Sequence, residues 1–157
     1  MESQKRSSTA KGIQITTIAA NLKTMASDSK VDVGGGLSYP ADKIKRLKKM
    51  LVGAGGNAGN CSRFLDWAAR DFKEPIPKWH KSDEESFLAL VLRSDGLYFY
   101  APSFPEPEKI NADFFAIGTG GDAARVAMML GKSPKEAVEL ACQVDGYSGL
   151  PVQVLEL

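Results

Sequence analysis

The sequence predicts an α+β domain, a layered sandwich in which antiparallel hairpins pack against helix pairs. Three observations point there. β-rich runs occur as neighbours joined by short turns, as in Phe87 to Leu92 and Leu97 to Tyr100 around Ser94-Asp95-Gly96. Segments with helical spacing follow glycine-rich junctions and carry recognisable start and stop residues. The element order is two strands, strand, helix, strands, helices, strand, which is not the strand–helix alternation of a parallel fold.

Residues 1–12 are polar and aperiodic and read as a disordered tail or a propeptide. Residues 14–21 and 24–31 read as a hairpin around Asn21-Leu22-Lys23. Asp28 falls at the end of its second arm, where a carboxylate holds a nearby cation or merely starts a turn. Gly34-Gly35-Gly36 reads as a flexible loop. Lys43 to Lys49 is basic at five of seven positions. No aromatic residue interleaves it to stack bases, so it reads as a solvated face, with Lys43 as the one candidate for a buried, functional lysine.

Met50-Leu51-Val52 leads into Gly53-Ala54-Gly55-Gly56-Asn57-Ala58, and a second junction of this form stands at Gly118-Thr119-Gly120-Gly121-Asp122-Ala123. Each satisfies a relaxed dinucleotide fingerprint. The chain has no room for a six-stranded parallel sheet, which weighs against nucleotide binding. In any fold such glycines offer close backbone approach and N–H donors for a phosphate or a developing oxyanion. A helix over about residues 57–72 buries Phe64, Leu65, Trp67 and Ala68 on one face. Residues 73–83 are a proline-containing connection, and Pro102, Pro105 and Pro107 mark a loop. Asp113 to Ile117 is a strand that delivers the second glycine junction. A helix over about 121–130 is stopped by Gly131. Ser133-Pro134-Lys135-Glu136 opens another with a capping box and an N-terminal proline, running to about Val144. Asp145-Gly146-Tyr147-Ser148-Gly149 and a strand from Val152 to Leu157 complete the chain.

At 157 residues, 43% hydrophobic and 25% charged, the composition is that of one soluble globular domain. A net charge of +1 gives no electrostatic case for nucleic acid or a membrane surface. No apolar run approaches the roughly 20 residues of a membrane span, and the polar, basic start is no secretory signal. Cys61 and Cys142 form no CxxC pair, and His80 is the single histidine, in a polar, proline-flanked loop typical of the surface. Neither a zinc site nor a Ser-His-Asp triad follows. A reduced, cytoplasmic protein without metal or cofactor is expected.

Thr16-Thr17-Ile18 is ordinary strand composition. It acquires a chemical reading if residue 16 becomes an N-terminus. A free α-amine, with a pKa of about 7.7–8.0, is partly neutral at physiological pH and is tethered beside Oγ, ready to take its proton.

Taken together, residues 16–157 resemble the proteasome β-subunit and HslV family of N-terminal-nucleophile hydrolases, and in particular its small bacterial or phage type. Thr16-Thr17-Ile18 resembles the mature start of those proteases. Asp28, in Ser27-Asp28-Ser29-Lys30, matches the aspartate ending their second strand, and Lys43, in Lys43-Ile44-Lys45-Arg46-Leu47, their active-site lysine. Ala54-Gly55-Gly56 matches the oxyanion-hole loop. Thr119 stands where the family carries a serine, and Asp145-Gly146-Tyr147-Ser148-Gly149 matches the Asp-x-Tyr-Ser-Gly signature.

The resemblance implies a four-layer αββα sandwich of two antiparallel sheets over 16–157, preceded by a disordered extension or propeptide at 1–15. It implies a threonine endopeptidase whose nucleophile, Thr16, is exposed by loss of residues 1–15. Asp28, Lys43, Gly55, Thr119, Asp145 and Ser148 would support it. It further implies a homo-oligomeric ring, a peptide or unfolded-protein substrate, an ATP-dependent unfoldase as a candidate partner, and a bacterial or phage-infected cytoplasm. Ile15 stands where self-processing proteasome subunits carry glycine. A catalytically silent homologue with a structural or assembly role is therefore the alternative.

Overall fold

The computed structural model describes residues 13–14, 16–80 and 87–157. Its strands are β1 (Ile13–Gln14), β2 (Thr17–Asn21), β3 (Thr24–Ser27), β4 (Lys30–Gly34), β5 (Leu37–Pro40), β6 (Ile44–Leu47), β7 (Met50–Asn57), β8 (Phe87–Arg93), β9 (Gly96–Tyr100), β10 (Glu108–Lys109), β11 (Phe114–Gly118) and β12 (Gln153–Glu156). The helices are α1 (Ala58–Ala69), α2 (Gly121–Met129) and α3 (Pro134–Val144).

Two antiparallel sheets result. One runs β10-β9-β8-β7-β1-β4-β5 with β6 also paired to β7, and the other runs β11-β2-β3-β12. Period-two alternation along the strands decides what each face buries. Val52, Ala54, Ala89 and Val91 face α1, alongside Phe64 and Trp67. Their neighbours Leu51, Leu90 and Leu92 turn the other way and meet Ile18, Ala20, Met25 and Ile117 between the sheets. Ala19 and Ala26 turn outward again, to α2 and α3, where they pack with Ala124, Ala137, Val138 and Ala141. The layers are therefore helix, sheet, sheet, helix pair: the expected αββα sandwich. The small alanines on the outer face of β2 and β3 let α2 and α3 lie close to that sheet.

Local chemistry sets the helix ends. The Asn57 side chain accepts from the Asn60 N–H at the start of α1. Ser133 and Glu136 form a reciprocal capping box on α3, with Pro134 in the first turn. Gly131, at φ 92°, follows α2 as its stop.

The structure departs from the sequence reading at four places. Gly34 to Gly36 is not a loose loop but the turn region of the β4–β5 hairpin. The first hairpin's second arm ends at Ser27, because the chain crosses there to the other sheet and Lys30 opens β4. The basic run, by contrast, is solvated as expected: it includes strand β6, with Lys45, Arg46, Lys48 and Lys49 exposed and Lys43 and Ile44 buried. Gly53 to Gly56 is not a phosphate-binding loop: these glycines lie inside β7, paired to β8. A Cβ on Gly53 would sit 2.9 Å from Ile44 and 3.1 Å from Ile18, so close sheet packing requires the glycine. Finally, Gln14 does not continue the first hairpin arm: with Ile13 it pairs to β7, and Ile13 also pairs to Asp32 of β4. The rest of the expected extension, 1–12 and 15, lies outside the described residues, as does the end of the 73–83 connection.

Candidate active site

The site forms where the start of β2 meets the crossing between the sheets. Thr16 directly precedes β2 and is 3% exposed. Its Oγ1 donates to Asp28 Oδ1 at 2.7 Å. The same oxygen accepts from Lys43 Nζ at 2.9 Å and from the Thr17 N–H at 3.0 Å. The other carboxylate oxygen accepts the N–H groups of Lys30 at 3.2 Å and Gly149 at 3.0 Å. Asp28 reaches this point because β3 has ended: its own N–H donates to the Thr17 carbonyl, and the chain turns away toward β4.

The Asp28 and Lys43 side chains are fully buried as an ion pair. Burial disfavours the ammonium and lowers the Lys43 pKa from its ordinary value, while the Asp28 carboxylate opposes that shift. The arrangement brings the Thr16 hydroxyl and the Lys43 ammonium to one oxygen of the buried Asp28 carboxylate.

A second cluster adjoins it. Ser148 Oγ donates to Asp145 Oδ2 at 2.6 Å, and Thr119 Oγ1 donates to the same oxygen at 2.6 Å. Thr119 Oγ1 is also 3.5 Å from the Thr16 carbonyl oxygen. Thr17 Oγ1 lies 2.7 Å from Ser148 Oγ. Ser148 has one hydroxyl proton, directed at Asp145, so Thr17 is the donor in that pair. Burial pushes the Asp145 pKa up, but the Ser148 and Thr119 hydroxyls, the Tyr147 N–H and Lys30 outweigh it and leave the pKa below the ordinary carboxylate value.

The second glycine junction serves these residues rather than a nucleotide. Gly118 has φ 97°, and a Cβ there would lie 1.8 Å from the Thr16 carbonyl oxygen. A Cβ on Gly120 would lie 2.1 Å from Thr17 Oγ1. Gly55 is placed differently, inside β7. Along one edge of β7, β6 pairs with residues 50–53 and β1 with residues 56–57. Gly55 falls in the gap between them, next to Ala54, whose N–H donates to the Lys43 carbonyl at 3.4 Å.

Six of the seven residues singled out from the sequence, Thr16, Asp28, Lys43, Thr119, Asp145 and Ser148, thus join two adjoining hydrogen-bonded clusters. The seventh, Gly55, joins neither; its link to them runs through the adjacent Ala54, whose N–H meets the Lys43 carbonyl. Sequence reasoning missed Thr17, Gly118 and Gly120 as site residues. The glycines were visible, but as ligand donors, not as the close neighbours of residues 16 and 17. The cysteine thiols do not compete as nucleophiles, since burial pushes Cys61 up to about 12 and Cys142 to about 11. His80 is exposed, with its ring against Arg63 at 2.8 Å and away from these clusters. Among the described residues no group of three or more His, Cys, Asp or Glu side chains is placed to hold a metal ion.

Comparison with solved structures decides the architecture. BPH from Thiobacillus denitrificans superposes with a TM-score of 0.68 at 21% identity, over 90% of this chain and 96% of that one. HslV from Trypanosoma brucei gives a TM-score of 0.66 at 20% identity, over 90% of this chain and all of that one. The fold is that of the proteasome-like N-terminal-nucleophile hydrolases. BPH in complex with epoxomicin matches with a TM-score of 0.66 at 21% identity, over 90% of this chain and 97% of that one. The helical assembly of the Anbu complex from Pseudomonas aeruginosa matches at 0.63 and 13% identity, over 90% of this chain and 81% of that one. At these identities the likeness speaks for the fold. No family model and no curated protein matches the sequence.

Proposed function

We propose that this chain is a threonine-type peptidase that hydrolyses peptide bonds with Thr16 as nucleophile, once loss of residues 1–15 gives Thr16 a free α-amine. The observation that carries the reading is the shared Asp28 oxygen, which holds Thr16 Oγ1 and Lys43 Nζ together in a buried site. In this reading Oγ attacks the substrate carbonyl, forming a C–O bond, while the α-amine takes the hydroxyl proton. Lys43, held by Asp28, stabilises the ionising oxygen. The Gly55 N–H faces the developing oxyanion; removing one such donor typically costs about 10²–10³ in rate. The C–N bond breaks as the amine returns the proton to the leaving group, and water then releases the acyl-enzyme. Asp145, Ser148 and Thr119 orient the new N-terminus.

The fold similarity to an epoxomicin-bound protein supports this reading. The helical Anbu assembly supports a homo-oligomer for this chain too. We extend the proposal to an oligomer that confines the site, fed with unfolded protein by an ATP-dependent unfoldase in the cytoplasm. The direct test of the nucleophile is a chain made to begin at Thr16 and treated with epoxomicin. Covalent mass addition at Thr16, lost in Lys43→Met, supports the reading; an unlabelled, folded chain overturns it.

One observation favours a second reading. Residues 13–14 are strand-paired between β4 and β7, and Ile15 precedes Thr16. Both suit a chain that keeps its N-terminal segment and acts as a silent assembly component. Failure of the full-length protein to process, beside labelling of the chain begun at Thr16, would mark an enzyme that depends on another protease.

A further inference from the structure

Lys43 lies between β5 and β6, outside regular structure, yet its ammonium must be placed closely. Its main chain is held from two sides. Its carbonyl accepts the Ala54 N–H at 3.4 Å. Its N–H donates to Gln153 Oε1 at 3.1 Å. Gln153 lies in β12, opposite Ser27, whose hydroxyl is 3.4 Å from the same Oε1. The far end of the amide, Nε2, donates to Asp42. This environment fixes the amide's orientation, since the flipped amide would set its NH₂ against the Lys43 N–H and its carbonyl against a carboxylate.

We propose that Gln153 is a positioning residue for Lys43. By holding residues 42 and 43 through opposite ends of one amide, it fixes the direction in which the Lys43 side chain leaves the backbone. That direction determines where Nζ meets Asp28 Oδ1 and hence the charge beside Thr16 Oγ1. The tie also crosses between the sheets: β12 belongs to the four-stranded sheet, and Lys43 leads into β6 of the other. The inference rests on the peptidase reading for its consequence in catalysis, but the tie itself is testable without turnover.

The test uses full-length protein carrying ¹³C-labelled lysine, with the Lys43 ε-methylene signal assigned by Lys43→Met. Gln153→Met keeps side-chain length and removes the hydrogen bonds to Lys43 and Asp42, and with them the one from Ser27. Asp42→Asn with Gln153→Glu reverses donor and acceptor between 42 and 153 and retains an acceptor for the Lys43 N–H. In Gln153→Met the Lys43 signal is expected to shift and its titration midpoint to move by about half a pH unit or more. Exposed lysines should stay in place, and the double variant should recover most of the parent behaviour. In chains begun at Thr16, Gln153→Met should lower kcat by about 10- to 100-fold with KM nearly unchanged, the size expected of a displacement on the order of 1 Å. A Lys43 signal and midpoint identical to the parent would overturn the proposal. A parent that epoxomicin does not label sinks the peptidase reading instead, and the Lys43 signal then decides this one alone.

Discussion

Asp28→Asn should be among the most damaging single substitutions in this protein. The Asp28 carboxylate is fully buried and accepts five hydrogen bonds, from Thr16 Oγ1, Lys43 Nζ and the N–H groups of Thr17, Lys30 and Gly149. An asparagine can accept at only one of its two terminal atoms. Its NH₂ must therefore face either the two donors at Oδ2 or the three at Oδ1. At the same time the buried Lys43 ammonium loses its counter-charge. Breaking a buried ion pair by removing one partner costs about 3–5 kcal/mol. For a chain of this length each kcal/mol is worth roughly 2–4 °C, so the melting temperature should fall by about 6–20 °C. Lys43→Met should cost less, because the carboxylate keeps its four other donors. The double variant should be less destabilised than the sum of the singles, since it removes the stranded charge. Urea denaturation of the four proteins measures this cycle. Additivity within about 0.5 kcal/mol, or a loss below about 1 kcal/mol in Asp28→Asn, would refute the reasoning.

Three further outcomes follow from the site. Thr17→Val keeps shape but removes the proton donated to Ser148, and should cost about 1–3 kcal/mol in urea midpoint measurements. Gly118→Ala combines a left-handed backbone, worth roughly 1–2 kcal/mol, with a Cβ 1.8 Å from a main-chain oxygen that cannot swing away; it should cost more than either effect alone, read as a fall in melting temperature. Asp145 has a native pKa below its unfolded value, so its stabilising contribution is full above the unfolded pKa of about 3.9 and is lost as pH falls through the native one. The stability gap between the parent and Asp145→Asn, measured by denaturation across pH 7 to 2, should therefore narrow at the acid end.

Much of this fold was legible because local signals agreed with the packing they serve. The Ser94-Asp95-Gly96 turn sits between two alternating apolar runs, and the α3 capping box is complete in four consecutive residues. What was hidden had a physical reason in each case. The β5 strand is exposed at every position and ends in proline, so it carries no inward-outward alternation. Strand β6 carries two adjacent exposed charges, Lys45 and Arg46, between Ile44 and Leu47, so its sequence has no strict inward-outward alternation to mark it as a strand. The β7 glycines imitate a phosphate loop in sequence, while in space they belong to a strand, and Gly53 is a thin spot that lets Ile18 of the other sheet approach. Strand β1 is two residues long and exists only because β4 and β7 flank it. In the site, Thr16, Asp28 and Lys43 could be named in advance through a resemblance. Thr17 and Gln153 could not, since their importance lies in partners 131 and 110 positions away.

The central claim is that Thr16 is a working nucleophile, and the intact mass of purified full-length protein beside Thr16→Ala tests it most directly. The account predicts that the parent loses residues 1–15 and the variant keeps them. A folded parent that retains those residues, and stays unlabelled by epoxomicin when made to begin at Thr16, would contradict it.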